Sequence, residues 1–195
     1  MIKLAIFDMD GTVFESYLNW LKIKEELKIE AGGNILQEIY RENRVDRERL
    51  EILENYEKEN TLRTKPIRGV SDFLFYLKTG NISTVLATNN NRENTHFLLD
   101  KFNFEFDFVI TREMKLWKPG PDAFLYAMEK YRCQPGETLC IGDSHYDVNA
   151  SRKAGITDIF IIKNQGSSIP IDDAGVIYFE DYFDLKEILK QDYDI

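Results

Sequence analysis

The run Leu4-Ala5-Ile6-Phe7-Asp8-Met9-Asp10-Gly11-Thr12 sets the reading of the whole chain. Four apolar residues in a row, cut off by two carboxylates and a glycine, have the form of a strand buried on both faces that ends in a polar turn. Four further runs share that form: Thr84-Val85-Leu86-Ala87, Phe108-Val109-Ile110, Thr138-Leu139-Cys140-Ile141 and Ile159-Phe160-Ile161-Ile162. Between them lie stretches with helical spacing at Val70 to Lys78, Glu93 to Phe102, Pro121 to Tyr131 and Asp147 to Ala154, the last closed by Gly155. Strand and helix in alternation predict a three-layer α/β core with a parallel sheet. Val176 to Phe179 is expected to add an edge strand, Asp184 to Leu189 a short helix, and Gln191 to Ile195 a frayed tail.

Residues 16–66 interrupt the alternation. They contain no strand pattern but show helical spacing at Leu18, Trp20, Leu21 and Ile23, then at Ile35, Leu36, Ile39 and Tyr40, then at Leu50, Leu53 and Tyr56. About three helices are expected there, the first two parted by Gly32-Gly33-Asn34. The predicted organisation is therefore a core of 1–15 and 67–195 carrying an all-helical insertion at 16–66, directly after the first strand.

The chain of 195 residues is 43% hydrophobic, 30% charged and 13% aromatic, the composition of a globular protein, with a formal charge of −9. That charge repels nucleic-acid backbones and anionic lipid, so neither is an expected partner. No apolar run reaches membrane-spanning length and no signal-peptide pattern opens the sequence, so a cytoplasmic location is expected. Cys133 and Cys140 lack partner cysteines and are read as buried thiols.

In open α/β sheets ligands bind beyond the carboxyl ends of the strands, so the residues that follow each apolar run belong together. They are Asp8 and Asp10, then Thr88 and Asn89, then Lys118, then Asp143, Ser144 and Asp147. Carboxylates, a hydroxyl and a lysine suit phosphoryl transfer, which asks for positioning and charge stabilisation. Asp8 can attack phosphorus while a divalent cation offsets the repulsion between the two anions, and Asp143 can hold that cation from the far side. An all-oxygen ligand set favours Mg²⁺. Asp10 can serve as acid and then base, Lys118 and Thr88 can bind phosphoryl oxygens, and Gly11 can turn the backbone toward the phosphate. Asp147 is either a further ligand, a supporting group or a helix N-cap, and Asn89 either a phosphate contact or a turn former. Lys115 competes with Lys118, which is preferred for its Lys118-Pro119-Gly120-Pro121 context. His145, His96, Tyr17, Trp20, Arg41 and Arg44 are weaker candidates.

Four ordered motifs, Asp8 to Val13, Thr88-Asn89, Lys118 to Pro121 and Gly142-Asp143-Ser144 with Asp147, resemble those of haloacid dehalogenase superfamily phosphatases. The resemblance implies a Rossmann-like core, Asp8 as nucleophile, Asp10 as acid/base, Thr88 and Lys118 at the phosphate, and a Mg²⁺ held by Asp8, Asp143 and the backbone carbonyl of Asp10. Phe14-Glu15-Ser16 resembles the entry to the helical cap of the phosphoglycolate-phosphatase-like branch, although an insertion of roughly 50 residues is short for that branch. A small phosphorylated metabolite is the implied substrate, and a phosphomutase of the beta-phosphoglucomutase type or an idle binding module are the alternatives. Asp10 argues against a dehalogenase, the missing Gly-x-x-x-x-Gly-Lys-Ser/Thr run against a P-loop protein, and the isolated cysteines and histidines against zinc chemistry.

Overall fold

The computed structural model describes residues 1–41, 44–163 and 175–193. Strands β1 (Leu4–Phe7), β2 (Ser83–Ala87), β3 (Phe108–Ile110), β4 (Thr138–Gly142), β5 (Asp158–Ile162) and β6 (Val176–Phe179) form one sheet in the order β3-β2-β1-β4-β5-β6. Every pairing is parallel. This is the doubly wound, Rossmann-like arrangement, whose switch of direction falls between β1 and β4.

The alternation of side chains along each strand distributes the core between two layers. Ala5 and Phe7 of β1 join Leu86, Leu139, Ile141, Phe160 and Ile162 on one face, while Leu4 and Ile6 join Val85, Ala87, Cys140, Ile159 and Ile161 on the other. The first face is covered by Phe73 and Leu77 of a helix at Val70–Thr79, Leu98 and Leu99 of one at Arg92–Phe102, and Leu185 and Leu189 of one at Tyr182–Asp192. The second is covered by Phe124, Ala127 and Met128 of a helix at Asp122–Tyr131 and by Val148 and Ala150 of one at His145–Lys153. A strand buried on both faces has no polar side to show, which is why the runs are continuously apolar.

The chain divides into two compact units, Met1–Glu15 with Lys65–Ile195, and Ser16–Thr64. The second unit holds α1 (Trp20–Glu26), α2 (Ile35–Ile39) and α3 (Arg47–Arg63), so the helices of the sheet unit are α4 to α8 in the chain order Val70–Thr79, Arg92–Phe102, Asp122–Tyr131, His145–Lys153 and Tyr182–Asp192. Asn19, Asn34 and Asp46 cap α1, α2 and α3 by accepting from the backbone N–H three residues on, at 3.0, 3.1 and 3.1 Å. Ile23, Leu36, Ile39 and Leu53 are buried, but Trp20 and Leu21 stay exposed despite their helical spacing. Leu18 precedes α1. On α3 the buried positions Glu57, Asn60 and Thr61 are polar, and Asn60 Oδ1 accepts the Tyr17 N–H at 2.8 Å.

The insertion ends at Thr64 rather than residue 66, and two helices depart from expectation by more than one residue at an end. Helix α7 begins at His145 rather than Asp147, because Ser144 is the N-cap and Asp147 sits at the third helical position, closing a capping box. Helix α8 begins at Tyr182 and runs through Asp192, so Gln191 is helical; Asp181 caps it by accepting from Phe183 and Asp184. Residues 194 and 195 of the expected tail lie outside the described residues. Cys133 and Cys140 are buried free thiols. Among the described residues no helix is long and apolar enough to cross a membrane.

Candidate active site

The pairing Phe7↔Ile141 aligns β1 with β4, and the Asp8 N–H continues the ladder to the Ile141 carbonyl at 2.9 Å. Asp8 and Asp143 thus leave the sheet side by side at its switch point. Gly11 follows at φ +86°, and a Cβ on it would lie 2.1 Å from Asp143 Oδ2, so only glycine gives the carboxylate room. The Gly11 N–H, expected to face a phosphate, instead donates to the Phe14 carbonyl at 2.7 Å, and the glycine contributes a turn and a clearance. A Cβ on Gly142 would likewise lie 2.5 Å from the Asp147 side chain.

Lys118 is buried, and its ammonium donates to Asp8 Oδ1 and to Asp147 Oδ1, the latter at 2.7 Å. Lys115, the competing lysine, is exposed in a left-handed turn. Asn89 grips Lys118 by its backbone: Oδ1 accepts the Lys118 N–H at 3.0 Å and Nδ2 donates to the Lys118 carbonyl at 2.9 Å. The amide expected at the phosphate is engaged with the lysine. Asp147, 1% exposed, is occupied on its other oxygen too, since Oδ2 accepts from Ser144 Oγ at 2.7 Å and Ser144 N at 3.1 Å. Its contacts are those of a group that holds Lys118 and the Asp143-Ser144 turn in place.

Thr88 follows β2, with its N–H on the Ile110 carbonyl at 3.0 Å. Its Oγ1 accepts the Asn90 N–H at 3.0 Å, which leaves the hydroxyl hydrogen to be donated elsewhere. Asn90, absent from the residues singled out by sequence, is buried and donates from Nδ2 to Asp10 Oδ2 at 2.8 Å. Buried Arg112 pins the same loop, its Nε on the Asn89 carbonyl at 3.0 Å and its N–H on the Asn90 carbonyl at 2.9 Å. Tyr182 is another residue that the sequence does not single out: its hydroxyl donates to the Thr12 carbonyl at 3.0 Å and its ring packs 5.1 Å from Phe73 and 6.4 Å from Phe7. In Thr88-Asn89-Asn90-Asn91 the third residue looks like any turn asparagine, and Tyr182 stands before the helical spacing becomes regular.

The carboxylates of Asp8, Asp143 and Asp147 bring ligand atoms within 4.8 Å of one another, whereas that of Asp10 is turned to Asn90. Burial raises Asp8 to about 7, against the pull of Lys118, with Asp147 and Asp10 adding repulsion. Asp143 is raised well above the ordinary carboxylate range by burial and by the charges of Asp8 and Asp147. Burial also raises Asp10, opposed by its hydrogen bond from Asn90 and by the charges of Lys118 and Arg112. With all three carboxylates ionised, the one ammonium leaves two negative charges in surplus, and hard oxygen donors suit a divalent cation such as Mg²⁺. Asp8 and Asp143 fit that role best, because Asp147 is already engaged by Lys118 and Ser144.

Of the weaker candidates, His145 is exposed with its ring 4.7 Å from Tyr146, and His96 is exposed on α5. In the helical unit Arg63 lies 5.1 Å over the exposed Tyr17 ring, Arg41 pairs with Glu38, and Arg44 is exposed. A cavity of about 380 Å³ opens elsewhere in the sheet unit, lined by Ile82 and Thr84 at the start of β2 and by Leu74, His96 and Leu99, and none of the clustered residues borders it.

A family model described as haloacid dehalogenase-like hydrolase matches residues 30–161. The chain belongs to the haloacid dehalogenase-like hydrolases. It is 27% identical over 179 residues to an uncharacterized hydrolase of Saccharomyces cerevisiae, YOR131C, covering 84% of this chain and 78% of that one. A phosphoglycolate phosphatase of Pseudomonas putida is 25% identical over 199 residues, covering 87% and 73%. Among solved structures, a hydrolase from Pseudomonas syringae superposes with a TM-score of 0.77 at 24% identity, covering 97% of this chain and 99% of that one. This haloacid dehalogenase-like chain is thus an enzyme of the hydrolase type, on the fold its neighbours share.

Proposed function

We propose that this hydrolase is a Mg²⁺-dependent phosphomonoesterase that acts on a small phosphorylated metabolite through a phosphoryl group carried on Asp8. The observation that carries the reading is the buried ion pair of Lys118 with Asp8, seated beside Asp143 at the switch point of the sheet. The phosphatase named among its relatives supports it.

In the proposed reaction an Asp8 oxygen attacks phosphorus as the ester oxygen departs. Lys118 keeps the Asp8 carboxylate aimed and neutralises charge on the phosphoryl oxygens, an electrostatic contribution that grows in a dry site. Thr88 donates its remaining hydrogen to a phosphoryl oxygen. Asp10 gives the leaving oxygen a proton and then takes one from the water that releases phosphate from Asp8. A Mg²⁺ held by Asp8, Asp143 and the Asp10 carbonyl would offset the repulsion between carboxylate and phosphate. The helical unit at Ser16–Thr64 is assigned the role of substrate-selecting cap.

Hydrolysis of p-nitrophenyl phosphate should require added Mg²⁺ and stop with chelator, and Asp8→Asn should lose both turnover and acid-stable labelling by substrate phosphate. Undiminished turnover in Asp8→Asn would overturn the reading. A screen of sugar phosphates that scores free phosphate beside isomerised product separates hydrolysis from phosphoryl transfer within the sugar; the proposal requires phosphate release to dominate.

A further inference from the structure

The contact between Asn90 and Asp10 carries more information than proximity. Asn90 Oδ1 accepts the backbone N–H of Asn91 at 2.8 Å and Nδ2 of Asn94 at 3.3 Å. A backbone N–H can only donate, so the amide has one orientation, and the atom turned to Asp10 Oδ2 is Nδ2, a donor that cannot accept. Oδ2 of Asp10 is therefore an acceptor whether the carboxyl is charged or neutral. A hydrogen on Oδ2 would point at the hydrogens of the amide.

We infer that Asn90 is a positioning residue that fixes the orientation of the Asp10 carboxyl, so that Oδ1 alone exchanges the proton in both halves of the reaction. This rests on the acid/base role proposed for Asp10 above. When the bond from Asp8 oxygen to phosphorus forms and the phosphorus–ester oxygen bond breaks, the departing oxygen takes the hydrogen on Asp10 Oδ1. When the bond from water oxygen to phosphorus forms and the Asp8 oxygen leaves, a water hydrogen passes to Oδ1, and the acid is restored.

The placement is rigid. The Asn90 N–H is held by Thr88 Oγ1 and its carbonyl by the Arg112 N–H, so the phosphate-facing hydroxyl and the group that orients the acid share one turn. Asn94 in the first turn of α5 and the backbone N–H of its N-cap, Asn91, add hold. The Asp10 carboxyl would otherwise turn about its terminal bond, which has broad wells.

The test uses leaving groups of graded basicity, because a misdirected acid matters most where the departing oxygen needs a proton. Asn90→Asp retains an oxygen for the Asn91 N–H but faces Asp10 with a second carboxyl oxygen; Asn90→Ala removes the side chain. With full-length protein and saturating Mg²⁺, kcat/KM on phenyl phosphate should fall about tenfold further than on p-nitrophenyl phosphate in both variants, general acid catalysis being worth roughly 10²–10⁴-fold. In an Asp10→Ala background Asn90→Asp should have no further effect. Equal losses on the two esters in a variant that melts as the wild type does would overturn the inference, as would a full additional loss in the Asp10→Ala background. If Asp10→Ala itself loses activity equally on both esters, the acid role of Asp10 fails and this inference falls with it. A leaving-group dependence in Asp10→Ala without one in Asn90→Asp condemns the inference alone.

Discussion

The sheet unit and the helical unit are patterned differently. In the sheet unit the strands bury unbroken apolar runs, and charged groups gather at one edge, Lys118 between Asp8 and Asp147 and Asp10 on Asn90. In the helical unit Trp20, Leu21 and Leu62 are exposed while Glu57, Asn60 and Thr61 are buried. Burying polar groups costs stability unless they are bonded, and Asn60 is bonded to the Tyr17 N–H at 2.8 Å. The first unit is built for rigid placement of charge.

That contrast can be broken from either side. The largest effect is expected from Asp8→Asn, which removes the proposed nucleophile and should cost at least about 10⁴-fold in kcat with little change in melting; on the transition-state scale that is roughly 5 kcal/mol. Steady-state kinetics beside a melt checks it. Next, Phe7→Ala should destabilise the sheet unit by about 3–5 kcal/mol, because Phe7 is buried among Phe73, Phe106 and Tyr182 and would leave a cavity. Urea unfolding reads this directly, and a cost below 1 kcal/mol would contradict the packing described.

Lys118→Met keeps the stem and removes the charge. It should lower kcat by about 10²–10³-fold, as loss of one preorganised charge-stabilising group does. Loss confined to KM would mean that the lysine binds substrate and transition state alike.

The surplus negative charge gives a pH signature. Asp8 is raised from 3.8 to about 7 in the metal-free fold, so the folded state holds a proton that the unfolded chain releases near pH 4. Stability from this group is full below pH 4 and is lost as pH rises through about 7. Asp143 acts in the same direction. Metal-free protein should therefore melt lower at pH 7.5 than at pH 5, and Mg²⁺ should raise the melting point more at pH 7.5, by the equivalent of about 2.7 kcal/mol at a hundredfold excess over Kd. A Mg²⁺ shift that is equal at the two pH values would count against the carboxylate cluster as the binding site. The smallest effect is expected in the helical unit, where Trp20→Ser should change stability by no more than about 0.5 kcal/mol because the ring is exposed. A larger loss in urea would show that the exposed ring packs more than its surface suggests.

The two units also differ in how much their sequences disclose. A strand buried on both faces leaves little room for ambiguity, so Leu4 to Phe7 and Ile159 to Ile162 announce the sheet, and the residues behind them announce its active edge. The helices of the insertion carry a weak apolar stripe: Ile23 and Leu53 face inward, but Trp20 and Leu21 have the same spacing character and do not. Spacing reports that a helix forms, and burial is decided by what covers it. At the edge of the sheet the legible residues are those whose chemistry is distinctive, Asp8, Lys118 and Asp143. Asn90 and Arg112 escape because their roles consist of hydrogen bonds to neighbours that only the folded loop supplies. Asp147 is intermediate: the sequence offers it as ligand, support or cap, and in the fold it supports Lys118, closes a capping box with Ser144 and lies in the carboxylate cluster with Asp8 and Asp143.

The pairing of β1 with β4 has a consequence for the chain as it is made. Asp8 leaves the ribosome 110 residues before the lysine that will hold it, and Asp143 and Asp147 come later still. At roughly 5–20 residues per second the interval is on the order of 10 s. Throughout it Asp8 has neither Lys118 nor Asp143 beside it, and under the proposed reaction its reactivity waits for β4 to join β1. Under that proposal, assembly of the sheet and acquisition of reactivity are one event.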